Sequence, residues 1–189
     1  MKALLRIVST IILAQCVLVG ISGATQIVYQ SLDQLGDNSS AVVVGKVAAV
    51  RSYWNEDKTK IFTETTVNVD ESFKGQPGGT VRVIQLGGTV DNVQVTAHGA
   101  LQWKQDEEIV LFLESSDDDT YQVAGFSQGK FQVERDPKTG AAYVMRPALS
   151  GAEFVGTPDD KSAIAKTDKM PLEKFMQEAL GERAPDRKN

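Results

Sequence analysis

Lys74 and three glycines (Gly75, Gly78 and Gly79) fall within Phe73-Lys-Gly-Gln-Pro-Gly-Gly-Thr-Val-Arg-Val83. A lysine among glycines is the raw material of a phosphate cradle, but spacing argues against one here. A Walker loop places its lysine after the last glycine and starts a helix there. In this chain Lys74 precedes Gly78 and Gly79, and the residues from Thr80 onward alternate like a strand. The G-x-G-x-x-G dinucleotide fingerprint is also absent. Pro77 instead fixes φ at one turn position while Gly78 or Gly79 supplies a positive φ, so the stretch predicts a hairpin turn.

Other residues with chemical potential lack the partners that chemistry needs. His98 is the only histidine, in Thr96-Ala-His-Gly-Ala100. With no serine or cysteine motif beside it, it reads as a loop residue, and a zinc site there would have to draw carboxylates from elsewhere in the fold. Asp117-Asp118-Asp119 lacks the alternating ligands, glycine and distal glutamate of a calcium loop, and reads as a solvated hairpin tip. Glu64, Glu107 and Glu108 raise a hydrolase alternative, since two carboxylates about 5 to 9 Å apart cleave glycosides. Tyr53, Trp54 and Trp103 are possible stacking platforms for a glycan or peptide, and also ordinary core or rim aromatics. Those three, with His98, are the candidate ligand-binding residues. No catalytic residue, cofactor or metal site is assigned.

The ends of the 189-residue chain bound its location. Lys2 and Arg6 precede an apolar run, Ile7 to Ile21, and Ser22-Gly-Ala24 follows with small residues suited to cleavage. This is the three-part pattern of a secretory signal. The run is shorter than the roughly 20 apolar residues of a spanning helix, so no membrane span is expected after cleavage. A second reading, acylation at Cys16, meets a poorly fitting Gln15. Removal of residues 1–24 leaves 165 residues, enough for one domain with its own core. It also removes the only cysteine, hence any disulfide or thiolate site. With Lys2 and Arg6 gone, 18 basic residues face 25 acidic ones, a net charge of −7. A surface of that sign repels phosphate backbones, so nucleic acid is not an expected partner.

The elements that must position these residues are mostly strands. Ala41–Val50 and Glu108–Leu113 are continuous apolar runs, as buried strands are. From Ile61 to Phe73, Ile61, Thr63, Thr65, Val67, Val69 and Phe73 share one face of a long strand. Val81–Leu86 is another strand whose apolar parity slips between Val83 and Ile84, which predicts a bulge. Short strands are expected at Val93–Thr96 and Tyr121–Ala124. A hairpin is expected where Phe131–Glu134 and Ala142–Met145 flank Asp136-Pro-Lys-Thr-Gly140. Residues 25–145 thus form a β domain and 146–170 a loop or flexible segment. Residues 171–189 hold a short helix and tail, the helix stripe being Leu172, Phe175, Met176 and Leu180. Many strands without βαβ alternation give a mainly β fold: a small antiparallel barrel or sandwich with a short C-terminal helix.

Several stretches carry a resemblance across residues 41 to 133: Ala41-Val-Val-Val-Gly-Lys-Val47, Val69-Asp-Glu-Ser-Phe-Lys-Gly75, Val81-Arg-Val83, Gly87-Gly88, Asp106-Glu-Glu-Ile-Val-Leu-Phe-Leu113 and Gln128-Gly-Lys-Phe-Gln-Val133. Their order resembles a family of uncharacterised exported bacterial proteins and looks like the OB-type barrel of netrin/TIMP-like modules. The resemblance implies fold and export. It does not imply protease inhibition, because the cysteines of those modules are missing. The expected function is a non-catalytic exported β-domain, a binding or cell-envelope accessory module whose ligand is unknown and whose partner would be a protein or glycan of the envelope. The alternative is a carboxylate-based envelope hydrolase.

Overall fold

The computed structural model describes residues 26–96, 99–116, 119–146, 153–155 and 169–181. The leader with Cys16, the candidate His98, Asp117 and Asp118 lie outside the described residues.

In chain order the elements are β1 (Gln26–Val28), α1 (Leu32–Asn38), β2 (Ala41–Trp54), β3 (Ile61–Lys74), β4 (Thr80–Leu86), β5 (Gly88–Val90), β6 (Val93–Val95), β7 (Glu108–Ser115), β8 (Tyr121–Val123), β9 (Lys130–Arg135), β10 (Ala142–Met145), β11 (Glu153–Val155), β12 (Met170–Pro171) and α2 (Leu172–Leu180). Strands β7, β2, β3, β4 and β8 follow one another around a ring that closes through β7–β8, giving an OB-like five-stranded barrel. All of its pairings are antiparallel except β4–β8, which is parallel. Strands β9, β10 and β12 extend the sheet from β7 beyond the barrel.

The apolar runs explain this layout. Along β7, Ile109, Leu111 and Leu113 point into the barrel with Ala41, Val43 and Val47 of β2. Val110 and Phe112 point the other way, into a second core with Val42, Val44 and both helices. A strand buried on both faces must be apolar at every position, so its sequence shows no alternation. In β3 one face alone is buried, and Ile61, Thr63, Thr65 and Val67 alternate with partly exposed neighbours. Strand β2 bends to serve both cores through register shifts after Val42, Val44 and Val47. Gly45 sits at the bend because a Cβ there would collide with the Asn68 carbonyl oxygen.

The second core is aromatic. Phe112, Phe131 and Phe175 meet edge to face, with centroids 4.7 to 6.1 Å apart. Helix α2 supplies Phe175 from the expected stripe, and Leu172, Met176 and Leu180 are buried with it. Buried Gln128 ties β1 to the turn after β8: its Oε1 accepts from the Gln30 N–H at 2.9 Å and its Nε2 donates to the Val28 carbonyl at 2.8 Å.

Phe73–Val83 is the hairpin its composition predicts, with β3 ending at Lys74 and β4 starting at Thr80. Gly78 takes φ +85°, the left-handed value such a turn requires. Lys74 Nζ donates to the carbonyls of Gly36 at 2.7 Å and Asp37 at 3.2 Å, capping the C-terminal end of α1. Its charge is thus spent on a helix end. Asp136 Oδ1 accepts from the N–H groups of Lys138 and Thr139, both at 2.8 Å, and shapes the β9–β10 turn.

Two expectations need correction. The parity slip in β4 is not a bulge, because β3 and β4 pair in unbroken register from Thr80 to Leu86. Ile84 simply faces outward, opposite Glu64. Within 146–170, whose composition reads as loop, Glu153–Val155 pairs in parallel with β1, and Met170–Pro171 pairs with β10. Partners distant in sequence supply these pairings, which local composition cannot reveal.

Candidate functional site

The barrel ring closes unevenly. Strands β2 and β7 share six pairs, from Ala41↔Leu113 to Lys46↔Glu108. Strands β4 and β8 share one, Val83↔Tyr121. Past that pair the two strands diverge, and a groove of about 350 Å³ opens between them. Its apolar wall is Phe62, Ile84 and Leu86 on the outer faces of β3 and β4, with Phe126 from the turn after β8. Glu114 and Gln122, a cross-strand pair of β7 and β8, supply polar groups. Leu86 is 44% exposed and Phe126 50%.

Phe126 is exposed and also held at φ +69°, a left-handed conformation that costs a bulky side chain about 1–2 kcal/mol. The turn around it is pinned: Ser127 N–H donates to the Gly125 carbonyl at 2.9 Å, and Gly129 N–H to the Ala124 carbonyl at 3.0 Å. An exposed aromatic ring in a strained backbone gains nothing for the core, so its position points to a surface role.

Behind the groove the segment leading to β7 is latched across the barrel end. Gln85 Nε2 donates to the Leu101 carbonyl at 3.0 Å, and its Oε1 accepts from Trp103 Nε1–H at 3.0 Å. Lys130 Nζ lies 4.7 Å from the Trp103 ring centroid, donates to the Gln102 carbonyl at 2.6 Å and pairs with Glu107. Burial holds the Lys130 ammonium below its ordinary range, opposed by the hydrogen bond and charge of Glu107. A second, smaller hollow of about 210 Å³ lies under the β5–β6 hairpin, bounded by Val50, Ser52, Thr63 and Trp103.

Among the described residues, the candidates Tyr53, Trp54 and Trp103 do not line one hollow. Trp103 is committed to the latch. Tyr53 packs on Phe62 with centroids 6.3 Å apart, beneath Arg51 at 5.4 Å. Trp54 pairs with Ile61 at the end of the β2–β3 hairpin, on the opposite face from Tyr53. Neither Tyr53 nor Trp54 lines either hollow. The carboxylates of the hydrolase alternative are each engaged by cations: Glu64 by Arg51 and Arg82, Glu107 by Lys130, and Glu108 by Arg135. Among the described residues no group of three or more His, Cys, Asp or Glu could hold a metal ion. No described helix is long and apolar enough to cross a membrane.

Phe62, Ile84, Leu86 and Phe126 escaped the sequence reading. A signal was present, since Phe62 and Ile84 are large apolar residues on the polar parity of their strands. No protein-family model matches the chain, and no curated protein matches it in sequence.

Proposed function

We propose that this protein is an exported, non-catalytic binding module of the cell envelope, and that it binds through the groove between β4 and β8. The carrying observation is that groove: preformed, apolar on one wall, with a strained and exposed Phe126 at its lip. Sites for ligands are typically concave, mostly apolar and provided with a few polar groups, as this one is. Export rests on the signal-like first 24 residues and on the likeness to exported bacterial proteins described above. The engagement of Glu64, Glu107 and Glu108 in ion pairs favours binding over carboxylate catalysis.

The test is affinity capture from envelope extract with the mature domain, run in parallel with a Leu86→Asp variant. A partner retained by the native groove and lost with the variant supports the reading. Equal recovery by both, or none by either, sinks it.

A further inference from the structure

Building on the binding-module reading, we propose that the occupant is an extended peptide segment that adds as a strand to the open edge of β4. Its apolar side chains at alternate positions would face Phe62, Ile84, Leu86 and Phe126, and a lysine or arginine would meet Glu114.

The backbone makes the first argument. Successive residues of a strand direct their N–H and C=O groups to opposite neighbours. Gly87 N–H donates to the Ile61 carbonyl, and Val69 N–H to the Gly79 carbonyl. With the β3–β4 register, this assigns residues 81, 83 and 85 to bonding with β3. Residues 82, 84 and 86 therefore turn to the other side, where β8 is the only partner strand among the described residues. The single β4–β8 pair, Val83↔Tyr121, is parallel and lets Tyr121 bond the residues flanking Val83, Arg82 and Ile84. The Ile84 carbonyl and both backbone groups of Leu86 are left facing the groove. An open sheet edge is a template for another strand, and peptides exploit it by β-augmentation.

The side chains make the second argument. An incoming strand presents alternate side chains to one face, and the groove offers apolar surface on the outward face of β3 and β4. Glu114 makes no ion pair among the described residues and borders the groove, so it favours a cationic side chain in the ligand. The acidic chain and this glutamate disfavour nucleic acid. A glycan would leave the apolar wall largely unused.

The test uses the mature domain, residues 25–189, uniformly labelled with 15N. The probe is a capped heptapeptide, acetyl-Lys-Thr-Val-Thr-Val-Thr-Val-amide, which sets its lysine and its valines on one face. Saturable shifts of the Ile84, Leu86, Gln122 and Phe126 amides are expected. N-methylation of alternate peptide nitrogens should weaken binding at least about tenfold, because main-chain hydrogen bonds are lost. Glu114→Gln should weaken it about threefold or more, and only for the lysine-bearing peptide. Leu86→Pro deletes an N–H that has no partner strand among the described residues, so it should fold normally yet bind at least about tenfold more weakly. Equal binding of native and N-methylated peptides overturns strand addition. The same amides shifting with a chito-oligosaccharide and not with the peptide also overturns it, while sustaining the groove as a binding site. No shift with either ligand overturns both proposals.

Discussion

The β2–β7 and β4–β8 seams close the same barrel by different means. At β2–β7 six consecutive pairs are flanked by packed cores on both faces. At β4–β8 one pair holds, and only the inward face, through Val83 and Val123, is buried. The first seam has hydrogen bonds and apolar area in excess. The second keeps just enough to complete the ring, and leaves backbone groups and apolar side chains without partners among the described residues. Core positions tolerate little change because neighbours fill every side, whereas an open seam can hold residues that stability does not need. The contrast locates where this small domain can interact without weakening itself.

The contrast can be broken most forcefully at the aromatic core. Phe175→Ala removes a fully buried ring in contact with Phe112 and Phe131 and should cost about 3–5 kcal/mol in denaturant unfolding. A loss below about 1 kcal/mol would show that α2 lies outside the cooperative unit, and the closed side would lose its claim to be the stable one.

Next in size is the latch. Lys130→Met leaves Glu107 without its cation and should cost about 2–3 kcal/mol, part of it recovered by adding Glu107→Gln. The pH dependence has a definite sign. Because burial lowers the folded pKa of Lys130 below 10.5, the unfolded chain binds more protons just under that pH. The stability of the native protein relative to Lys130→Met should therefore rise as pH approaches 10.5, measured by urea unfolding at a series of pH values. A falling difference would mean that the Glu107 pairing outweighs the burial.

Gln85→Ala should cost about 1 kcal/mol and speed amide hydrogen exchange from Leu101 to Lys104, since the carboxamide joins that segment to β4. Unchanged exchange would assign the whole latch to Lys130. Smallest is Phe126→Gly. Relief of the left-handed strain offsets the lost ring contacts, so stability should stay within about 1 kcal/mol of native or rise slightly. A large loss would make Phe126 a core residue and dissolve the distinction between the seams.

Some of these features were legible in the residues alone. The turn at Pro77–Gly79, the β9–β10 hairpin and the stripe of α2 rest on local rules of φ, periodicity and capping. Each was readable, and each is present. The groove was legible only as an anomaly. Ile84 broke the alternation of its strand, and the local explanation, a bulge, was wrong. The outward apolar residues of β3 and β4 make sense only once β8 is seen to part from β4 after Tyr121. The aromatic candidates failed to converge for a related reason: Trp103 is held by Gln85 and Lys130, 18 and 27 positions away.

By itself the sequence determined that the chain is mainly β, where it turns and which runs are buried, because sterics and the hydrophobic period act between near neighbours. It also determined that Lys74 cannot serve a phosphate loop. Only the tertiary structure decided that Lys74 caps α1, that Glu64, Glu107 and Glu108 are taken up in ion pairs, and that β4 and β8 share a single pair. Those outcomes depend on which distant strands meet, and pairing between distant segments is selected by the burial of the whole chain.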